Sequence, residues 1–246
     1  MNKLTYLLIG VITFLAFLII MAPAATVVSA FEDDLQASVP GMTLTGIRGS
    51  LWQGESDLSY GKLPPVLLNW ELSALPLLTG TANTHLEFSG TGLSAEVDGA
   101  FSGAGGEISQ LNATITGDYL NQVTIDYGLE LSGEVQLTET SLGFDQQWLT
   151  HASGRLTWSG GIVHIETPQQ IHTVKLPPLD ASVSMSDRDL IMQVTEAGRE
   201  MMNIAVRQDG WAKVDISYTF MEMVNLPLPG GILSDGPAVT LEEKIL

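Results

Sequence analysis

Beyond residue 41 the chain is built from short runs in which apolar and polar side chains alternate. Met42-Thr43-Leu44-Thr45-Gly46-Ile47-Arg48-Gly49 is the first. Leu86-Glu87-Phe88, Leu93-Ser94-Ala95-Glu96-Val97 and Leu111-Asn112-Ala113-Thr114-Ile115-Thr116 repeat the pattern. Val123-Thr124-Ile125-Asp126-Tyr127, Leu129-Glu130-Leu131 and Val135-Gln136-Leu137 continue it. A period of two places alternate side chains on opposite faces of an extended strand. Gly, Asn and Asp separate the runs at intervals of about 8–12 residues, the spacing of an antiparallel meander. The polar set is Thr, Ser, Gln and Glu, which predicts one wet face. The apolar set needs cover: the sheet can fold onto itself, curl into a trough or meet a partner. The fold class predicted is therefore mainly β, a curved antiparallel sheet forming an open trough or a partly closed sandwich.

The first residues break this rhythm. Leu4–Phe31 runs 28 residues without a charged side chain, between Lys3 and Glu32-Asp33-Asp34. A helix crossing a hydrocarbon core of ~30 Å needs about 20 residues. Leu4–Met21 supplies most of that span and Ala22–Val28 can finish it. The expected organisation is a short cytoplasmic N-terminus (1–3), a transmembrane anchor (4–28) and an exported β-rich domain (29–246). The single Lys3 on one flank and the acidic collar on the other put the N-terminus inside. A cleaved signal peptide is the rival reading, with Ala22-Pro23-Ala24-Ala25 and Val28-Ser29-Ala30 as possible cut sites. The apolar stretch exceeds the ~7–15 residues usual for a signal, which favours retention. Weak helical patterns occur only at Ala30–Ala37 and at Ala74–Leu78, where Leu75-Pro76-Leu77-Leu78 reads as a turn. Ser102–Gly106 reads as a flexible loop, and Pro64-Pro65 and Pro177-Pro178 as loops or edges.

Charge narrows the partners. Ten Lys and Arg against 28 Asp and Glu leave a net charge of −18, which repels nucleic acid and anionic headgroups. Cysteine is absent, which excludes disulfides and thiol chemistry. No Gly-Xaa-Ser-Xaa-Gly elbow or phosphate loop is present. His164 and His172, eight residues apart around Glu166, lack the closer or paired spacing of a metal site. Asp187-Arg188-Asp189 reads as a solvated turn. Neither catalytic residues nor a cofactor is expected.

Tryptophan and glycine form a separate pattern. Gly49-Ser50-Leu51-Trp52-Gln53-Gly54 is echoed by Gly154-Arg155-Leu156-Thr157-Trp158-Ser159-Gly160, with Leu86–Gly90 a fainter copy. The echo suggests two similar halves of one sheet, with Trp52, Trp70 and Trp158 as core residues. Near the C-terminus, Leu226-Pro227-Leu228-Pro229-Gly230-Gly231-Ile232-Leu233 is apolar and irregular. Its Leu226, Leu228, Ile232 and Leu233 are candidates to plug a trough or dock on a partner.

These segments resemble protein N of the bacterial type II secretion system. The resemblance is carried by Gly46-Ile47-Arg48-Gly49-Ser50-Leu51-Trp52-Gln53-Gly54, by Leu68-Asn69-Trp70-Glu71-Leu72 leading to Gly80, and by Gly154, Leu156, Trp158 and Gly160 with Leu176-Pro177-Pro178-Leu179. It implies a single-pass inner-membrane protein with a periplasmic β-rich domain, accessory to a machine that exports folded proteins across the outer membrane. The implied partners are other secretion components, such as the protein linking the inner membrane to the secretin and the secretin itself, together with inner-membrane lipid. The alternative from the pattern itself is an envelope module that shields lipid along its apolar sheet face.

Overall fold

The computed structural model describes residues 21–77, 79–166, 171–225 and 236–244, with Tyr6, Thr13, Phe14 and Phe17. Two short helices, α1 (Ala24–Ala30) and α2 (Glu32–Ser38), precede β1 (Met42–Gly49), β2 (Gln53–Tyr60) and β3 (Val66–Ser73). Then come α3 (Ala74–Leu77), β4 (Thr81–Gly90), β5 (Leu93–Ser102), β6 (Gly105–Thr116), α4 (Gly117–Thr124) and β7 (Leu129–Leu131). The chain continues through β8 (Glu134–Asp145), β9 (Leu149–Trp158), β10 (Gly161–Glu166), β11 (Ile171–Leu176), β12 (Leu179–Ser186) and β13 (Asp189–Glu196). β14 (Arg199–Val206), β15 (Trp211–Ile216), α5 (Tyr218–Met223) and β16 (Val239–Lys244) complete it.

Among the described residues, thirteen strands make one antiparallel sheet in the order β1-β2-β3-β4-β5-β6-β8-β9-β12-β13-β14-β15-β16. It does not close, since β1 and β16 are its two edges. A second sheet, β11-β10-β7, has three strands. The register carries the predicted alternation from β2 to β16. One row runs Ser56, Leu68, Phe88, Ala95, Ala113 and Leu137 from β2 to β8. It continues through Leu156, Ala181, Val194, Met202, Ile216 and Val239 from β9 to β16. Every member but Ser56 is apolar. The neighbouring residues Arg155, Ser182, Gln193, Asn203, Asp215 and Thr240 form a polar row on the other face. A one-residue slip in any strand would put its apolar set in water.

The apolar face is covered differently along its length. Toward β9 and β12–β14 the small sheet and α5 close over it. Trp158, Val163, Leu176, Leu179, Val194 and Val224 are buried together there, around Met201, which is fully inaccessible. At the β1 edge the cover is lighter, α1 with α2 beside it.

Several sequence expectations are corrected. Val123–Tyr127 is not a strand: it lies at the end of α4 and in the 3-10 turn Ile125–Tyr127. Thr116 caps that helix by accepting from the Tyr119 backbone N–H, and Asn121 binds both the N–H and the carbonyl of Leu131. Local caps and tertiary hydrogen bonds thus override a β-like pattern. α5 was also hidden; Ser217 caps it by accepting from Phe220 N–H. Leu129–Leu131 forms a strand of the small sheet rather than of the main one. Ala30–Ala37 divides at Phe31 between two helices, and Ala74–Leu77 is helical rather than a turn. Ser102–Gly106 is the tight end of a long hairpin, with Ser102 paired to Gly105. The echo of two halves does not exist in three dimensions. Gly49–Gly54 spans the turn from β1 to β2, whereas Gly154–Trp158 is continuous strand. No helix of the described residues is long and apolar enough to cross a membrane. Most of the expected span from Leu4 lies outside the described residues. Its last portion meets the sheet: Leu51 N–H donates to the Ala22 carbonyl at 2.9 Å and Pro23 bridges to Ser50.

Trp158 is 8% exposed and its indole N–H donates to the Ser132 carbonyl at 2.9 Å. Trp158→Ala is expected to cost about 3–5 kcal/mol, whereas Trp211→Ala at the exposed start of β15 should cost under about 1 kcal/mol. Urea denaturation of both variants measures the difference.

Candidate functional site

The wet face carries a charge cluster on β4 and β5. His85 pairs across the strands with Asp98, and Glu87 with Glu96. His85 Nδ1 lies 2.7 Å from Asp98 Oδ1, and Nε2 lies 3.5 Å from Glu87 and 4.0 Å from Glu96. The hydrogen bond to Asp98, with support from Glu87 and Glu96, raises the imidazole above its ordinary value against the opposing effect of burial. His85, Glu96 and Asp98 bring potential ligand atoms within 4.8 Å of one another. As it stands the arrangement is an imidazole ringed by carboxylates, and the Asp98 bond already occupies one ring nitrogen.

A second polar pair was not visible in the sequence. Ser141 Oγ lies 2.9 Å from His151 Nε2, brought there by the β8–β9 pairing. A nucleophilic serine needs its base oriented by a third group. Among the described residues no carboxylate meets the other ring nitrogen of His151. On the small sheet His164 Nδ1 bonds Thr173 Oγ1 at 2.8 Å, while His172 stands opposite Ile165.

The apolar face holds the more distinctive feature, a cleft of about 270 Å³ at the β1 end. Ala24 and Val28, one turn apart on α1, form its roof. Leu44 and Ile47 of β1 form one wall, and Leu68 and Leu72 of β3 with Leu86 of β4 form the other. Residues three apart on a regular strand face opposite ways. Leu44 and Ile47 share the cleft because β1 bulges between Thr45 and Arg48, with Gly46 at φ +63°. A glycine in the left-handed region is the usual first residue of such a bulge.

One polar group is enclosed among these hydrocarbons. Ser56 lines the cleft, is inaccessible to solvent, and its hydroxyl has no hydrogen-bond partner among the described residues. An unpaired buried hydroxyl costs about 1–3 kcal/mol.

The structure gathers part of the Trp–Gly pattern around this cleft and scatters the rest. Leu51, Trp70 and Leu72 line it. Gly54 pairs with Trp70, and a Cβ there would lie 2.4 Å from the indole ring. The Trp70 indole N–H donates to the Leu51 carbonyl at 3.2 Å. Gly49 ends β1, and the Trp52 carbonyl accepts from Leu72 N–H. Gly80 lies in the turn before β4. Gly154 faces Thr140, Leu156 belongs to the long apolar row, Trp158 to the core, and Gly160 to the turn against Pro177 and Pro178. Leu226, Leu228, Ile232 and Leu233 lie outside the described residues.

Residues 40–226 match the family model described as type II secretion system (T2SS), protein N. No curated protein and no solved structure matches the chain.

Two outcomes follow from the geometry. The folded-state pKa of His85 lies above its unfolded value near 6.5, so its stabilisation is complete below that pH. It is lost as pH rises through the folded value. Asp98→Asn should flatten this dependence, measured as urea midpoint against pH from about 6 to 8. Ser56→Ala removes the unpaired hydroxyl and should raise stability by about 1 kcal/mol, read as a higher thermal midpoint.

Proposed function

Because the chain belongs to the protein N family of the type II secretion system, we propose that it is an accessory inner-membrane component of that system, acting through protein–protein contacts. The observation that carries this reading is the family match across residues 40–226, which takes in β1 to α5. The part of the charge-free stretch that precedes the Ala22–Leu51 contact, Leu4–Met21, acts as the anchor, shorter than the expected 4–28, with the N-terminus in the cytoplasm and the sheet in the periplasm. Lys3 before the stretch and Glu32-Asp33-Asp34 after it fit that orientation. α1 and α2 then hold the β1 end of the sheet close to the bilayer.

The sheet offers two open edges. Among the described residues no strand pairs with the outer side of β1 or of β16. Such an edge accepts a further strand through backbone hydrogen bonds. We assign the contact with the component that links the inner membrane to the secretin to the Gly46–Gly54 region, at the β1 edge and the turn into β2. The apolar segment Leu226–Leu233 is a second contact candidate. No catalytic role is assigned.

A photoreactive residue placed in living cells at Thr43 or Thr45 should capture the linking component. The same residue at Ser182, inside the sheet on its wet face, should not. Capture of that component at neither Thr43 nor Thr45, nor along Leu226–Leu233, would overturn the contact assignment. Deletion of the gene should reduce exoprotein secretion; unchanged secretion with normal secretin assembly would overturn the function.

A further inference from the structure

We propose that His85, Glu87 and Glu96 on the wet face bind one zinc ion, with Asp98 as the residue that positions the imidazole. The groups come from two paired strands. His85 and Glu87 are two apart on β4, Glu96 and Asp98 are two apart on β5, and all four share one face.

The imidazole carries the argument. Asp98 Oδ1 lies 2.7 Å from Nδ1, so the proton of the neutral ring sits on Nδ1. The Nε2 lone pair is left facing Glu87 and Glu96. Histidines that bind metal through one nitrogen characteristically donate the other to a carboxylate, which fixes the ring and raises its basicity. Zinc bonds of about 2.0–2.2 Å set tetrahedral ligand atoms about 3.4 Å apart. Nε2 stands 3.5 Å from Glu87 Oε1 and 4.0 Å from Glu96 Oε1. Both carboxylates are more than half exposed and free to rotate the small remaining distance.

Charge supplies an independent reason. Glu87 stands directly opposite Glu96, and like charges so placed destabilise a sheet. Nearby carboxylates have partners of their own: Arg48 pairs with Glu55 at 3.0 Å, and Gln53 donates to Glu71 at 3.2 Å. Among the described residues, Glu87 and Glu96 have no cationic partner but the imidazole. A divalent ion between them converts the repulsion into coordination. A groove of about 430 Å³ reaches His85 and Glu87, so water can fill the fourth position. The donor set selects the ion. An imidazole nitrogen favours zinc over magnesium or calcium, which take oxygen ligands.

The test uses full-length, tag-free protein in detergent, stripped with a chelator and titrated with zinc chloride in a calorimeter. One zinc per chain is expected, with a higher thermal midpoint when it is bound. X-ray absorption should show one imidazole nitrogen and oxygen ligands at about 2.0–2.2 Å. His85→Gln and Glu96→Gln should each weaken zinc binding at least about tenfold. Asp98→Asn should weaken it about 10–100-fold with the same absorption spectrum. His151→Gln and His164→Gln should leave it unchanged. Circular dichroism checks the fold of each metal-free variant; where His85→Gln does not fold, Glu87→Gln takes its place with the same weakening expected. No zinc uptake, or full affinity in His85→Gln, overturns the site. Magnesium binding as tight as zinc reduces it to an acidic surface and overturns it equally. Unchanged affinity in Glu87→Gln or Asp98→Asn overturns the role assigned to that residue.

Discussion

The structure depends on keeping one row of side chains in register across a very wide sheet. From Ser56 to Val239 the row passes through twelve strands and is apolar at every step after the first. Burying such a row contributes roughly 25 cal/mol for each Å² removed from water. The gain is realised only where another layer lies over it. A single open sheet has no second inner face, so the cover must come from elsewhere in the chain or from outside it. This requirement explains the excursions that interrupt the meander. β7, β10 and β11 leave the main sheet to roof the row around Trp158 and Met201, and α5 with the residue that follows it adds Phe220 and Val224 to the same roof.

The opposite end is roofed far more lightly. α1 is seven residues long and places only Ala24 in full burial. Close approach there is made possible by glycine. Gly54 lets the Trp70 ring lie against the backbone of β2, where any side chain would collide with both the indole and the Arg48 carbonyl. The bulge at Gly46 turns Ile47 inward beside Leu44. The Gly–Trp pattern of residues 46–72 is therefore the local code for a cleft. The similar-looking pattern at 154–160 serves a filled core.

Much of the strand content was legible in the sequence, because alternation in runs such as Leu111–Thr116 reports directly on a two-faced sheet. The failures have physical causes. At Val123–Tyr127 the alternation is accidental, and the outcome is decided by the Thr116 cap and by Asn121 binding Leu131. Ten residues of sequence separate Asn121 from Leu131, so no local rule detects that bond. Ser56 was invisible for the opposite reason. A serine between Glu55 and Asp57 reads as solvated. Only the bulge in the neighbouring strand and the helix above it enclose the hydroxyl. The Ser141–His151 contact depends on the β8–β9 register, which sets Ser141 opposite Ser153 and Gly143 opposite His151, and left no trace in spacing.

The strand order has a kinetic meaning. From β1 through β6 each strand lies beside its immediate predecessor, and the same holds from β12 to β16. Partners close in sequence pay little loop-closure entropy before their contacts form. A polypeptide emerging N-terminus first can therefore zip its first six strands one hairpin at a time, without waiting for residues yet to be synthesised. The β6–β8 and β9–β12 junctions are the exceptions, and the wider is β9–β12, where both β10 and β11 must loop out before the two strands meet. Assembly should pause at that seam, making it the vulnerable moment for a nascent chain whose oily surface is still bare.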